Sequence, residues 1–336
     1  MQDRDILVPT YYIQQIAEEL TSHQVDITHW LSLSGLEIGQ VASQENRISL
    51  PQFKSLIINA LELSDQPAIG LLVGKRLGLT THGMLGYAII ASGCLREAIE
   101  LFSRYLNTRT PLLRVELEQC DDQLLIHLYP CYPLDKIAVP FLESAISTIY
   151  NSLMQISADQ APIASIDFPF TAPSYHLIYR TMFKTEVNFD ADSASIALVD
   201  SQLDAPLGMA DANSLQQAKA ICEQTLIELQ SQELFKSRVR KYLLSLKNKF
   251  PTLGEVANHF CLSKRTFHRR LEQEKSRYSE ILSDVREYLA LDLLSRDDKT
   301  IQQIAFDLGY SDIANFRKAF KQWQKMSPSE YRKKHR

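Results

Sequence analysis

Residues 300–332 read TIQQIAFDLGYSDIANFRKAFKQWQKMSPSEYR. Thr300 is placed to cap a short helix whose apolar residues Ile301, Ile304, Ala305 and Leu308 recur at i, i+3, i+4 and i+7. Gly309 stops that helix, because glycine takes a positive φ without a Cβ penalty. Asp312 is placed to cap a second helix with Ile313, Phe316, Ala319, Phe320 and Trp323 on one face. Its other face carries Asn315, Arg317, Lys318, Lys321 and Gln322. A short helix, a tight turn and a basic amphipathic helix make a helix-turn-helix pattern, whose second helix suits a major groove. A plain helical hairpin with a solvated basic face gives the same local pattern, so one copy does not decide the matter.

A second copy does. Residues 252–271 read TLGEVANHFCLSKRTFHRRL. Leu253, Val256, Ala257 and Phe260 form an inner face, Ser263 is the next cap, and Phe267 and Leu271 point inward. Lys264, Arg265, His268, Arg269 and Arg270 point outward. The two caps, Ser263 and Asp312, lie 49 residues apart. Between the copies, residues 278–294 read as one long helix with Ile281, Leu282, Val285, Leu289 and Leu293 at helical spacing. Such a connector would hold both basic helices in fixed relation.

From about residue 250 to 334 the chain resembles the AraC/XylS family of bacterial transcription regulators. The resemblance is carried by Ile304, Ala305, Gly309, Tyr310, Phe316, Phe320, Ser327, Pro328 and Tyr331. Lys275 and Lys325 depart from the family pattern, which often has glycine there. The resemblance implies two recognition helices in successive major-groove segments, roughly 34 Å apart. Matching to the motif places Arg265, His268 and Arg269 of the first helix, and Ala314, Asn315 and Lys318 of the second, toward bases. Lys264, Arg317 and Lys321 fall to phosphates, which position the protein without reading sequence. Promoter DNA and RNA polymerase are the implied partners.

Charge agrees with that division. Residues 231–336 hold 23 Lys+Arg against 13 Asp+Glu, whereas the whole chain is at −4. A basic C-terminal third suits a polyanion, and the acidic remainder suits another task. The five cysteines have no CxxC spacing, which points to reduced thiols and a cytoplasmic setting. Cys261, between Phe260 and Leu262, reads as a small core residue. No basic-then-apolar leader opens the chain and no apolar run reaches a membrane span, so no membrane partner is expected.

Upstream, residues 10–33 read as a helix with Tyr12, Ile16, Leu20 and Ile27 inward. Pro51 and Pro67 open two more helices. The stretch 82–106, HGMLGYAIIASGCLREAIELFSRYL, holds two helices broken near Ser92-Gly93. Leu113, Val115 and Leu117, then Leu124, Ile126 and Leu128, alternate around Asp121-Asp122 and predict a β-hairpin. A helix over 138–157, a strand over 163–168, a helix over 175–183 and strands near 187–189 and 195–198 follow. The fold class is therefore an α+β N-terminal domain, then an all-α DNA-binding domain with two helix-turn-helix units joined by a long helix. The boundaries are 10–207 for an effector-sensing or dimerisation domain, 208–247 for a helical linker and 248–334 for the DNA-binding domain. The first resembles the "arabinose-binding" type of N-terminal domain attached to some AraC relatives, which implies effector sensing or dimerisation. In the linker, Leu215, Ala218, Ile221, Cys222, Thr225, Leu226 and Leu229 share a face, which either packs on its own domain or forms a homodimer seam.

No P-loop, GxGxxG, HExxH, EF-hand loop or GxSxG is present, so no catalytic group, metal or cofactor is expected. His82, beside Gly83, reads as structural or solvent-exposed. Arg104 and Arg109 could meet an anionic effector, although surface salt bridges are the favoured reading. The reading that results is a sequence-specific transcription regulator responsive to a small molecule. A constitutive regulator without a ligand, and an enzyme domain fused to a DNA-binding module, are the alternatives.

Overall fold

A computed structural model describes residues 6–41, 46–232, 234–246, 250–295 and 299–334. The chain divides into two compact units, with the boundary between Gln230 and Ser231.

The first unit opens with β1 (Leu7–Pro9), a 3-10 turn at Thr10–Tyr12, α1 (Ile13–Ser22), α2 (Ile27–Leu33) and α3 (Ile38–Val41). The single helix expected over residues 10–33 is thus two. Gln24 takes φ 61°, and Asp26 caps α2 by accepting from the Thr28 and His29 amides, so a new helix starts there. β2 (Arg47–Ser49) pairs antiparallel with β1, Leu7 opposite Ser49. Both strands are three residues long, too short for an alternating pattern to register in sequence.

Next come α4 (Leu50–Ser64), α5 (Ile69–Arg76), α6 (Met84–Ile90) and α7 (Leu95–Tyr105). Ser49 and Gln52 form a capping box on α4, with proline in its first turn. The hairpin is β3 (Leu113–Cys120) and β4 (Gln123–Pro130), closed by Asp121 at φ 48°. Then follow α8 (Ala138–Ile156), β5 (Ile163–Asp167), α9 (Leu177–Met182), β6 (Glu186–Asn188), β7 (Ala194–Val199) and α10 (Ala212–Gln232). The large sheet runs β3-β4-β7-β5-β6, with only the β5–β6 pair parallel.

Ile126, Ile166, Ile196 and Leu198 from the sheet and Ile146, Ile149 and Leu153 from α8 share one core. α5 crosses α8 closely: a Cβ on Gly70 would stand 2.3 Å from Pro140 O, and one on Gly74 2.5 Å from Ser144 O. α10 buries Leu215, Ala218 and Cys222 in this same core, while Ile221 and Ile227 stay exposed.

The second unit contains α11 (Phe235–Ser245), α12 (Leu253–His259), α13 (Lys264–Gln273), α14 (Tyr278–Ser295), α15 (Ile301–Asp307), α16 (Ile313–Gln324) and α17 (Pro328–Lys334). It has two small cores. Phe235, Val239, Val256, Phe267, Leu271, Ile281 and Val285 fill the first. Ala290, Leu294, Ile304, Leu308, Phe316 and Phe320 fill the second. α14 contributes to both, and Phe250 and Leu289 touch both. Its 18 residues make a rod of roughly 27 Å at 1.5 Å per residue.

Candidate nucleic-acid interface

Each helix-turn-helix is set by local chemistry. Thr252 with Glu255 and Thr300 with Gln303 form capping boxes on α12 and α15. Ser263 accepts the Thr266 amide at 3.2 Å, and Asp312 accepts the Ala314 amide at 2.9 Å. Ser263, Thr300 and Asp312 sit where the sequence puts them, and Thr252 is a fourth cap that the structure adds. The turns need a left-handed residue, supplied by Gly309 at φ 73° in the second copy and by Cys261 at φ 54° in the first. Cys261 is exposed, which corrects its reading as a core residue. The left-handed backbone swings its side chain outward, and Ala257, Phe260 and Leu262 fill the interior instead.

With Phe267, Leu271, Phe316 and Phe320 buried, helical geometry turns the polar residues out. Lys264, Arg265, His268 and Arg269 are exposed on α13, and Ala314, Asn315, Arg317, Lys318 and Lys321 are exposed on α16. Among the described residues none of these cations is held in an ion pair with a carboxylate. The chain thus presents two basic faces with their donors free for a polyanion.

Contacts missed by sequence reasoning tie α16, and the turn before it, to α14. Trp323 Nε1 donates to Ser283 Oγ at 2.9 Å, and Gln324 Nε2 to Glu287 Oε1 at 2.7 Å. Arg286, midway along α14, lies 5.0 Å from the Phe250 ring and 4.8 Å from the Tyr310 ring, and donates to Gly309 O at 3.4 Å. One guanidinium therefore joins the segment entering the first unit of helices to the turn of the second. Its partners lie 36 and 24 residues away, beyond any periodic signal.

Both α13 and α16 end on the lysines that depart from the family pattern. Lys275 has φ 52° and Lys325 φ 59°, so these are left-handed positions that glycine would fit without strain. Lys325 Nζ donates to Gln322 O at 3.0 Å, placing its charge at the negative end of α16. Glu274, beside Lys275, accepts the Phe235 and Lys236 amides at 2.6 and 2.8 Å and so caps α11.

Comparison with known families gives two matches along the chain. The family described as "Arabinose-binding domain of AraC transcription regulator, N-term" matches residues 25–207, and "Helix-turn-helix domain" matches residues 256–334. This chain belongs to the AraC family of transcription regulators. Among its relatives, the "Ornithine utilization regulator" of Pseudomonas aeruginosa is 28% identical over 326 residues, 97% of this chain and 96% of that one. An uncharacterized HTH-type transcriptional regulator of Mycobacterium tuberculosis is also 28% identical, over 80% of this chain and 79% of that one. Among solved structures, transcriptional regulator CdpR from Pseudomonas aeruginosa aligns over 91% of this chain and 96% of that one, at 20% identity and a TM-score of 0.46. This AraC-family protein is accordingly a DNA-binding transcription regulator, with a mixed α+β N-terminal domain and a helical helix-turn-helix domain. The family is one of regulators rather than of enzymes. No single helix among the described residues is long and apolar enough to cross a membrane.

Proposed function

We propose that this protein is an effector-responsive regulator that reads promoter DNA with α13 and α16 in successive major-groove segments. Arg265, His268, Arg269, Ala314, Asn315 and Lys318 take base edges, arginine favouring guanine O6/N7 and asparagine favouring adenine. Lys264, Arg317 and Lys321 take phosphates. The observation that carries this reading is the pair of capped helices whose exposed cations, among the described residues, form no ion pair with a carboxylate, mounted on one continuous helix.

Residues 248–334 are the proposed DNA-binding domain, 208–247 the linker and 10–207 the sensing or dimerisation domain, working in the cytoplasm. RNA polymerase and a second copy of the chain are further proposed partners. The exposed Ile221 and Ile227 on α10 suit a homodimer seam.

Genome-wide footprinting of the full-length chain, followed by binding to the recovered site across a salt series, tests the reading. Displaced counterions make log affinity fall linearly with log salt. Salt-independent association, or none at any salt, overturns it.

A further inference from the structure

The N-terminal unit contains an apolar cavity of about 120 Å³ among the Thr10–Tyr12 turn, α1, α4, α5, α7 and α8. Ile16, Phe53, Val73, Phe102 and Ile149 form much of its wall. A second cavity of about 40 Å³ shares Phe102, Thr148 and Ile149 with it, and His82 lines both. Among the described residues no aspartate, glutamate, lysine or arginine lines either space. An ion would give up its hydration there with no counter-charge in return, so neither a carboxylate nor an amine suits the wall. The Thr148 hydroxyl already donates to Ser144 O at 2.7 Å, and the Thr110 hydroxyl accepts the Leu112 amide at 3.2 Å. A sugar would leave most of its hydroxyls without partners.

His82 supplies the polar contact. It is only 9% exposed, so it is buried rather than solvent-exposed. Its Nδ1 meets the Tyr12 hydroxyl at 3.2 Å. Nε2 makes no hydrogen bond among the described residues, yet it is not sealed from solvent as the Tyr11 hydroxyl and Arg109 Nε are. The accessible edge of the ring therefore opens onto the cavities that His82 lines. Burial, then repulsion from Arg109, pushes the imidazole down to about 4, so it is neutral near neutral pH. The Tyr12 phenol is the stronger acid of the pair and donates to Nδ1, which leaves the ring proton on Nε2. The wall thus offers an N–H donor in an otherwise apolar space, with the half-buried Ser144 hydroxyl on the same wall. The cavity also touches the part of the unit that leads onward. α7 brings Phe102 and Leu106 to the wall, and its Arg104 and Tyr105 donate to Glu223 of α10 at 2.9 and 2.8 Å. That contact is the surface ion pair the sequence favours for Arg104, and α10 is the helix in which the first unit ends.

A donor without a partner calls for an acceptor, and an apolar wall calls for a hydrocarbon body. We infer that this cavity is the effector site and takes a small uncharged molecule, a hydrocarbon ring or short chain bearing one carbonyl that accepts the His82 Nε2 proton. The space is somewhat smaller than the roughly 150 Å³ apolar cavity that holds benzene, which sets the body at about six carbons. This inference rests on the effector-sensing reading and names the chemistry of the effector.

The test uses full-length protein and cyclohexanone, with methylcyclohexane as the same shape without an acceptor. Cyclohexylamine, cyclohexanecarboxylate, arabinose and ornithine are the comparison ligands. Calorimetry and melting should show saturable binding of cyclohexanone and none of the ions or the sugar. His82→Phe should weaken cyclohexanone roughly three- to tenfold, as loss of one neutral hydrogen bond does, and leave methylcyclohexane unchanged. That variant leaves the Tyr12 hydroxyl without its His82 partner, so Tyr12→Phe/His82→Phe is measured beside it, with melting as the check on the fold. Ala145→Leu, which fills the space from α8, should abolish binding of both neutral ligands without lowering the melting temperature. Failure of cyclohexanone to bind, tighter binding of an ion or sugar, an equal loss for both neutral ligands in the His82 variants, or full affinity in folded Ala145→Leu overturns the inference. Cell extracts added to the DNA-binding assay separate the two readings. A neutral, solvent-extractable fraction that shifts DNA affinity supports both. A shift from a charged, water-soluble fraction alone leaves effector sensing standing and overturns the uncharged ligand. If cyclohexanone binds and no fraction alters DNA affinity, effector sensing falls, and the effector role of the cavity with it.

Discussion

Replacing Glu143 by glutamine should make the N-terminal unit more stable at alkaline pH than at acid pH, relative to the unchanged chain. Glu143 lies on α8 and is fully buried. Its Oε1 accepts from the Tyr175 hydroxyl at 2.8 Å and from the Tyr179 hydroxyl, while Oε2 has no hydrogen-bond partner. Burial pushes the carboxyl up from 4.5 to about 7, although the two tyrosine donors pull the other way. Between those values the folded chain keeps a proton that the unfolded chain has released, so stability falls as pH rises across the window. The cost is complete above pH 7 and amounts to about 3 kcal/mol at 1.36 kcal/mol per unit, against about 1 kcal/mol at pH 5. His82 acts in the opposite sense. Burial lowers it from 6.5 to about 4, followed by repulsion from Arg109, so its contribution is lost as pH falls through that range. In the unchanged chain the two slopes largely cancel between pH 4.5 and 6.5. Glu143→Gln removes one and exposes the other. Urea unfolding, followed by Trp30 fluorescence in a Trp323→Phe background, reports on this unit, since Trp30 is buried and donates to Leu56 O. The variant should gain about 3 kcal/mol at pH 8 and about 1 kcal/mol at pH 5. An equal difference at both pH values would show that Glu143 ionises normally and refute the reasoning.

Arg269→Ala should weaken binding to the best site by about 1–3 kcal/mol and relax preference at one or two base pairs. Selection from a randomised site pool measures this, and an unaltered preference would place Arg269 on phosphate. Lys325→Gly should raise the melting stability of the free protein by up to about 1 kcal/mol, because φ 59° suits glycine. It should also lower DNA affinity and flatten the salt slope by about one charge. Lower stability with unchanged DNA binding would refute that balance. Gly74→Ala should destabilise the N-terminal unit by about 1–3 kcal/mol or more, because its Cβ would press Ser144 O from 2.5 Å. A melting curve that matches the parent would mean that α5 can move away from α8 without cost.

Much of the DNA-binding domain was legible because its signals are local. Caps act across three residues, an apolar helical face repeats within four, and a left-handed turn marks itself with glycine. Ser263, Thr300, Asp312 and Gly309 carry those signals, and the outward cations follow once Phe267, Leu271, Phe316 and Phe320 are buried. The hairpin at Asp121-Asp122 and the break near Ser92-Gly93 are local in the same way. Cys261 escaped this reading because its side chain suits a core, whereas the turn geometry and not the side chain fixes its place.

What sequence alone determined here is the order and kind of the longer elements, the two basic faces and the family they announce. Only the tertiary structure decided what depends on partners far along the chain. The pairing of β1 with β2 joins Leu7 to Ser49, and the order β3-β4-β7-β5-β6 brings residues 123 and 199 side by side. Arg104 and Arg109 look alike in sequence, yet one meets Glu223 on α10 and the other meets no carboxylate among the described residues. Tyr12 and His82 meet across 70 residues at the wall of a cavity, and Glu143 takes its two tyrosines from beyond β5. Periodicity records which face of an element is apolar, but charge compensation and enclosed space belong to pairs of elements, and chain separation carries no record of them.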